Sequence, residues 1–195
     1  SEIGHPGSIW CDMKVYENYC YCVNETGGGI QVISLEEIDS WVYPYPAIVN
    51  EIHEVKINGV TRKTPTAHNV YVDEINGILY VLGSRKPKSS ETNNPEEVNS
   101  NLPSKHLHDE NVRGYNYMFA LNSNIISGAS AGQPVFINES SIYFHDLVTY
   151  TYNNGSKIYA FGSGEDKGIY VIDVTDPLHW DCLLYTSPSP RDFTE

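Results

Sequence analysis

The sequence predicts an all-β chain assembled from a repeated unit, and three observations carry that reading. The segment "GIQVISL" at 29–35 returns as "YNYMFAL" at 115–121 and as "GIYVIDV" at 168–174. Upstream of each copy, "CDMKV" (11–15) is echoed by "HNVYV" (68–72) and "HDLVT" (145–149), and between the two "YCYCVNE" (19–25) is echoed by "ILYVLGS" (78–84) and "IYAFGS" (158–163). One supersecondary unit recurring in a fixed order marks a repeat array. Composition agrees: Tyr is common at 15 and Met scarce at 2, and Tyr suits half-buried pleated surfaces. Gly 15 and Pro 11 cut the chain into short pieces.

Each unit reads as strands in order. The first strand is "DMKVY" (12–16), "NVYVD" (69–73) or "DLVTY" (146–150). A tight turn follows, at Glu17-Asn18, at Asn76-Gly77 and at Asn153-Asn154-Gly155. Asn and Gly tolerate positive φ, which makes Asn-Gly the strongest short hairpin signal. Tyr21, Tyr80 and Tyr159 fall at matching places on the second strand. The "GIYVIDV" element is the third strand. A fourth is expected at "HEVKI" (53–57) and at "PVFIN" (134–138). A single turn of helix fits "SLEEIDSW" (34–41).

Four antiparallel strands per unit, repeated, describe a propeller blade. The expected architecture is therefore a partial β-propeller of about three four-stranded blades, incomplete at its ends. The repeats run over 9–66, 67–143 and 144–181, all within a domain spanning 1–181. The second repeat is long because a polar, aperiodic stretch at 84–114 reads as a surface loop inserted between strands. Closing a ring takes about four to eight blades, so more blades are expected in the intact protein.

Net charge is −13, which disfavours nucleic acid, where phosphate contacts need clustered Lys and Arg. No run of about 18 apolar residues occurs, so no membrane span is expected in this stretch. The chain opens at Ser1 without an apolar leader, as expected after signal removal or within a fragment. Three sequons, at Asn24, Asn138 and Asn154, lean towards secretion and are read as lying in turns. Residues 182–192, "CLLYTSPSPRD", are what one frame of a common transposon-type sequencing adapter encodes. Residues 182–195 are therefore read as library read-through, with native sequence expected to continue past Asp181.

The segments "WCDMKVYENYCYCVNE", "AHNVYVDE", "FHDLVTYTY" and "FGSGEDKGIYVIDVTDP" resemble the choice-of-anchor B proteins, repeat proteins of the LVIVP type. The resemblance covers most of 9–177 apart from the insertion, and "GIYVIDVTDP" is close to that family's repeat signature. It implies a secreted or surface-displayed β-propeller whose biochemical activity is poorly defined. The second unit departs from it, with "YNYMFAL" where a Gly-led strand is usual and no Asp-Pro after Leu121. Cys20 and Cys22 also stand where small or apolar residues are expected.

Three constellations could carry chemistry. Asp12, His68, Asn69, His145 and Asp146 open the first strands, which line the channel of a propeller. Converging there, they would suit a divalent metal, Ca²⁺ or Zn²⁺, with Glu165 of "GSGED" approaching the same mouth. The competing reading is structural, with His-Asp hydrogen bonds linking neighbouring blades. His106 and His108, with Asp109 and Glu110, share a ligand spacing but lie in the polar insertion, where a solvated loop is expected. Cys11, Cys20 and Cys22 fall on one face if strands 11–16 and 19–24 pair. Small core hydrophobes, a diagonal Cys11–Cys22 disulfide, and a three-thiolate zinc site short of a ligand are all open readings.

No nucleophile elbow, phosphate loop or dinucleotide fingerprint occurs. The sequence thus points to a secreted or cell-surface protein using its propeller for binding or display, without an assigned catalytic residue. Its partner would be an extracellular protein or glycan. The alternative is a metal-dependent hydrolase or lyase with its site at the channel mouth.

Overall fold

The computed structural model describes residues 11–25, 28–36, 48–57, 60–63, 66–85, 113–140, 142–164 and 168–186. They form three four-stranded antiparallel sheets and one two-stranded hairpin. The chain divides into two compact units, residues 1–143 and 144–195.

The first sheet holds β1 (Cys11–Tyr16), β2 (Tyr19–Asn24), β3 (Ile30–Ser34) and β4 (Ile48–Ile52) in that order. β1 and β2 pair from Cys11↔Asn24 to Tyr16↔Tyr19, so the expected two-residue turn at Glu17-Asn18 is present. The expected fourth strand at 53–57 is displaced. β4 precedes it, and β5 (Glu54–Ile57) instead pairs with β6 (Val60–Lys63) as a separate hairpin. The intervening sequence is Asn58-Gly59, so this stretch finds its partner locally, at lower closure entropy than in the sheet.

The second sheet holds β7 (Asn69–Asp73), β8 (Ile78–Arg85), β9 (Arg113–Ala120) and β10 (Val135–Ser140). Strand pairing extends past the expected limits of the insertion, since Arg85 pairs with Arg113; residues 86–112 lie outside the described residues. The β7–β8 turn is closed by Asp73, whose carboxylate accepts from the Asn76 backbone N–H at 3.0 Å and its side-chain amide at 2.7 Å. Gly77 follows at φ 66°, left-handed backbone that glycine adopts without steric cost.

The third sheet holds β11 (Asp146–Tyr152), β12 (Lys157–Ser163), β13 (Ile169–Asp176) and β14 (His179–Thr186). Its first turn, Asn153–Gly155, has positive φ at all three residues, as the Asn-Asn-Gly sequence allows. β14 takes in Cys182–Thr186, part of the stretch read as adapter-encoded. Ladder pairing uses backbone groups alone, and Leu183, Leu184 and Tyr185 are exposed.

The three sheets share a further irregularity. Pairing of the third strand to the fourth slips by a residue at Val49, at Ile137 and at Leu183. A bulge on each outer strand adds local twist where a flat edge would recruit other strands.

Side-chain alternation decides the packing of the first unit. Tyr21, Val23, Ile30 and Val32 share one face of the first sheet, because Tyr21 pairs with Val32. They join Val70, Val72, Leu79, Val81, Tyr117 and Phe119, from one face of the second sheet, in a single buried cluster. Val55 of the β5–β6 hairpin joins the same cluster. Phe136 of β10 meets Tyr117 and Phe119 edge-on, at 6.3 and 5.9 Å between ring centroids. The second sheet is buried on its other face too, at Tyr80, Leu82, Met118 and Ala120.

In the second unit, Leu147, Ile158, Ala160 and Ile172 are buried together with Phe144. Phe144 packs edge-on to Tyr170 at 5.5 Å and stacks on Trp180 at 6.3 Å. Gly162 makes the room: a Cβ there would stand 2.5 Å from the Phe144 ring.

Candidate functional site

Asp12 and Asn69 stand at matching steps, opposite Val23 and Leu82, whereas Asp146 lies opposite Ser163, the counterpart of Glu25 and Ser84. Within the first unit β1 lies beside β7, so Asp12 and the segment His68–Val70 are neighbours.

Each side chain there is engaged with a protein group. The Asp12 carboxylate accepts from Lys14 Nζ at 3.0 and 3.1 Å and from the Val70 backbone N–H at 3.0 Å. His68 Nδ1 is held by Glu25 Oε1, and both side chains are largely buried. The His68 backbone N–H donates to the Leu82 carbonyl at 2.9 Å, which fixes the entry into β7. In the second unit His145 Nδ1 meets Asp146 Oδ2 at 2.7 Å in an exposed pair.

The structure thus brings Asp12 close to His68 and Asn69, and separately pairs His145 with Asp146. Among the described residues no three of His, Cys, Asp and Glu are grouped so as to hold a metal ion. Glu165, His106, His108, Asp109 and Glu110 lie outside the described residues. Two partners, Glu25 and Lys14, were not anticipated. Glu25 closes the apolar "YCYCVNE" strand where the other repeats end in Ser84 and Ser163, and that charge was the available signal.

The cysteine face is present as expected, with Met13 opposite Cys22 and Val15 opposite Cys20. Cys11, Cys20, Cys22 and Cys182 are free thiols, so the Cys11–Cys22 disulfide is not formed. Cys11 lies opposite Asn24, which leaves it diagonal to Cys22. Cys20 and Cys22 approach to 3.7 Å between sulfurs along one strand. Burial first, and Cys20 second, push the Cys22 thiol up to about 12.

Two sequons are not in turns. Asn24 ends β2 and is fully buried, so the folded chain offers no room for a glycan there. Asn138 lies half-buried in β10, and Asn154 is exposed in the β11–β12 turn.

No helix among the described residues is long and apolar enough to cross a membrane. The chain matches no protein-family model, and no curated protein is detectably similar to it.

Proposed function

We propose that these sheets are blades of a β-propeller that serves as a secreted or cell-surface binding module, with the segment between β8 and β9 as its contact surface. One observation carries the proposal. Arg85 and Arg113 are cross-strand partners, so the polar segment 86–112 leaves and rejoins the second sheet at a single point. That point is at the end of the sheet where β7 begins, next to His68, which Glu25 at the end of β2 in the first sheet holds. A rigid four-stranded platform carrying a long polar excursion is a common way to present a binding loop. The paired sheets of the first unit support the blade reading, since each offers one face to its neighbour. The negative charge favours a partner that is neutral or basic, such as a neutral glycan or a basic protein surface.

The test replaces residues 86–112 with a short Gly-Ser link and screens both chains against glycans and extracellular proteins. The proposal expects loss of binding with unchanged thermal stability. Binding that survives the replacement would place the contact surface elsewhere.

A further inference from the structure

The β1–β2 hairpin gathers its sulfur-bearing side chains on one face. Met13 lies opposite Cys22, Cys11 lies diagonal to it, and Cys20 is two residues back along the same strand. Strand alternation puts Cys20 and Cys22 on one side and Tyr21 and Val23 on the other. Directly opposite residues of an antiparallel pair have Cβ atoms about 4.5–5.5 Å apart, which puts the Met13 thioether within reach of Cys22.

The Cys20 and Cys22 sulfurs stand 3.7 Å apart. They are poorly placed for a disulfide, because two steps of strand separate their Cα atoms by about 6.7 Å, the far edge of disulfide geometry. They are well placed to share an ion: sulfurs bonded to one metal at about 2.3 Å stand about 3.8–4.0 Å apart at tetrahedral to trigonal angles. Gln31 lies opposite Cys22 on the other side and is 4% exposed. Its amide nitrogen donates to Glu51 Oε1 at 3.4 Å, and its Oε1 has no hydrogen-bond partner among the described residues. A covered acceptor without a donor thus adjoins the thiols, and such a group calls for a further partner.

The donor chemistry selects the ion. Structural zinc takes four ligands, and among the described residues no three of His, Cys, Asp and Glu are grouped so as to hold a metal. Ca²⁺ and Mg²⁺ ask for oxygen. Thiolate together with thioether favours Cu(I), which is satisfied by fewer ligands. Val15, opposite Cys20, adds an apolar wall on the same face.

We infer that Cys20 and Cys22, with the Met13 thioether as third donor, form a binding site for Cu(I). All three donors belong to one hairpin, so the site is complete within the first sheet whatever packs over that face. Cu(I) replaces the thiol protons, which leave to solvent, and no sulfur changes oxidation state. Burial first, and Cys20 second, hold the Cys22 thiol up at about 12, so the ion competes with a tightly held proton and binds more tightly as pH rises.

The experiment titrates the reduced full chain with Cu(I) against a chromogenic Cu(I) chelator, with Zn²⁺ run in parallel. The expected result is one Cu(I) per chain with sulfur ligands in the copper X-ray absorption spectrum. Cys20→Ser and Cys22→Ser should each weaken binding by more than about a hundredfold, beyond the cost of losing a supporting group, and Met13→Leu by about tenfold. Cys11→Ser should leave it unchanged. Cys20→Ala is the second variant should Cys20→Ser not fold. No binding, binding that survives loss of both Cys20 and Cys22, or equal affinity for Zn²⁺ overturns the inference. A Cys20–Cys22 disulfide that forms in air and resists glutathione also overturns it, since the close sulfurs would then be a disulfide pair.

Discussion

The Asp12 carboxylate accepts a hydrogen bond from the backbone N–H of Val70 at 3.0 Å, joining the first strands of two successive sheets. The same carboxylate pairs with Lys14. A residue that the sequence offers as a metal ligand thus satisfies a backbone donor of the neighbouring sheet. Asp12→Ala leaves that donor without its partner and is expected to cost roughly 1–3 kcal/mol, the penalty for orphaning a covered polar group. Chemical denaturation measures it. A stability loss on chelation in wild type that vanishes in Asp12→Ala would return Asp12 to a metal site.

Glu25 and His68 make the more buried of the two His-carboxylate contacts in these strand openings. Removing one partner of a covered pair strands the other, at about 3–5 kcal/mol. Glu25→Ala should therefore destabilise the first unit far more than Asp146→Ala does the second, where Asp146 is exposed and His145 only half-buried. The comparison by thermal unfolding is direct, and equal effects would remove the structural role of the pair.

Much of the fold was legible because strand alternation and turn chemistry are local. The Asn69–Asp73 strand, the turn at Glu17-Asn18 and the three-residue turn at Asn153–Gly155 fall where residue type placed them. The fourth strand of the first sheet was not legible. Two extended stretches competed for one ladder, and the local Asn58-Gly59 sequence decided the matter by loop closure rather than hydrophobicity. Asp12 and His68 were identified as residues, but their partners were not. Glu25 lies 43 positions from His68, and Val70 contributes a backbone group that no sequence pattern marks. The burial of Asn24 follows from tertiary packing, which a three-residue sequon does not encode.

Glu17 adopts φ 52°, a left-handed conformation that disfavours a residue with a Cβ. Glu17→Gly is expected to stabilise the chain by about 1 kcal/mol, because the strain is larger than the added entropy cost of glycine in the unfolded chain. A rise in the urea midpoint at constant slope is the measurement, and a fall would mean that the Glu17 side chain makes a contact worth more than the strain.

Gly162→Ala should act in the opposite direction. The added methyl would stand 2.5 Å from the Phe144 ring, in a site whose other walls are Tyr170 and Trp180. Overpacking of this kind costs about 1–3 kcal/mol. Gly162→Ala combined with Phe144→Leu should recover part of the loss, a coupling that a double-mutant cycle measures.

The Lys157 ammonium sits 2.6 Å from the Asp173 carboxylate and, with Thr175 also donating, holds that carboxyl at about 2. The folded value lies below the ordinary carboxylate value of about 3.9. The pair therefore contributes stability above the ordinary range, and the contribution is lost as pH falls through the folded value. Wild type and Asp173→Asn should differ in thermal midpoint near neutral pH and converge between about pH 4 and pH 2. Lys157→Met should shrink the difference at neutral pH without abolishing it, because Thr175 donates to Asp173 from both its hydroxyl, at 2.5 Å, and its backbone N–H, at 3.0 Å. Midpoints that stay parallel down to pH 2 would show that Lys157 and Asp173 do not pair in solution.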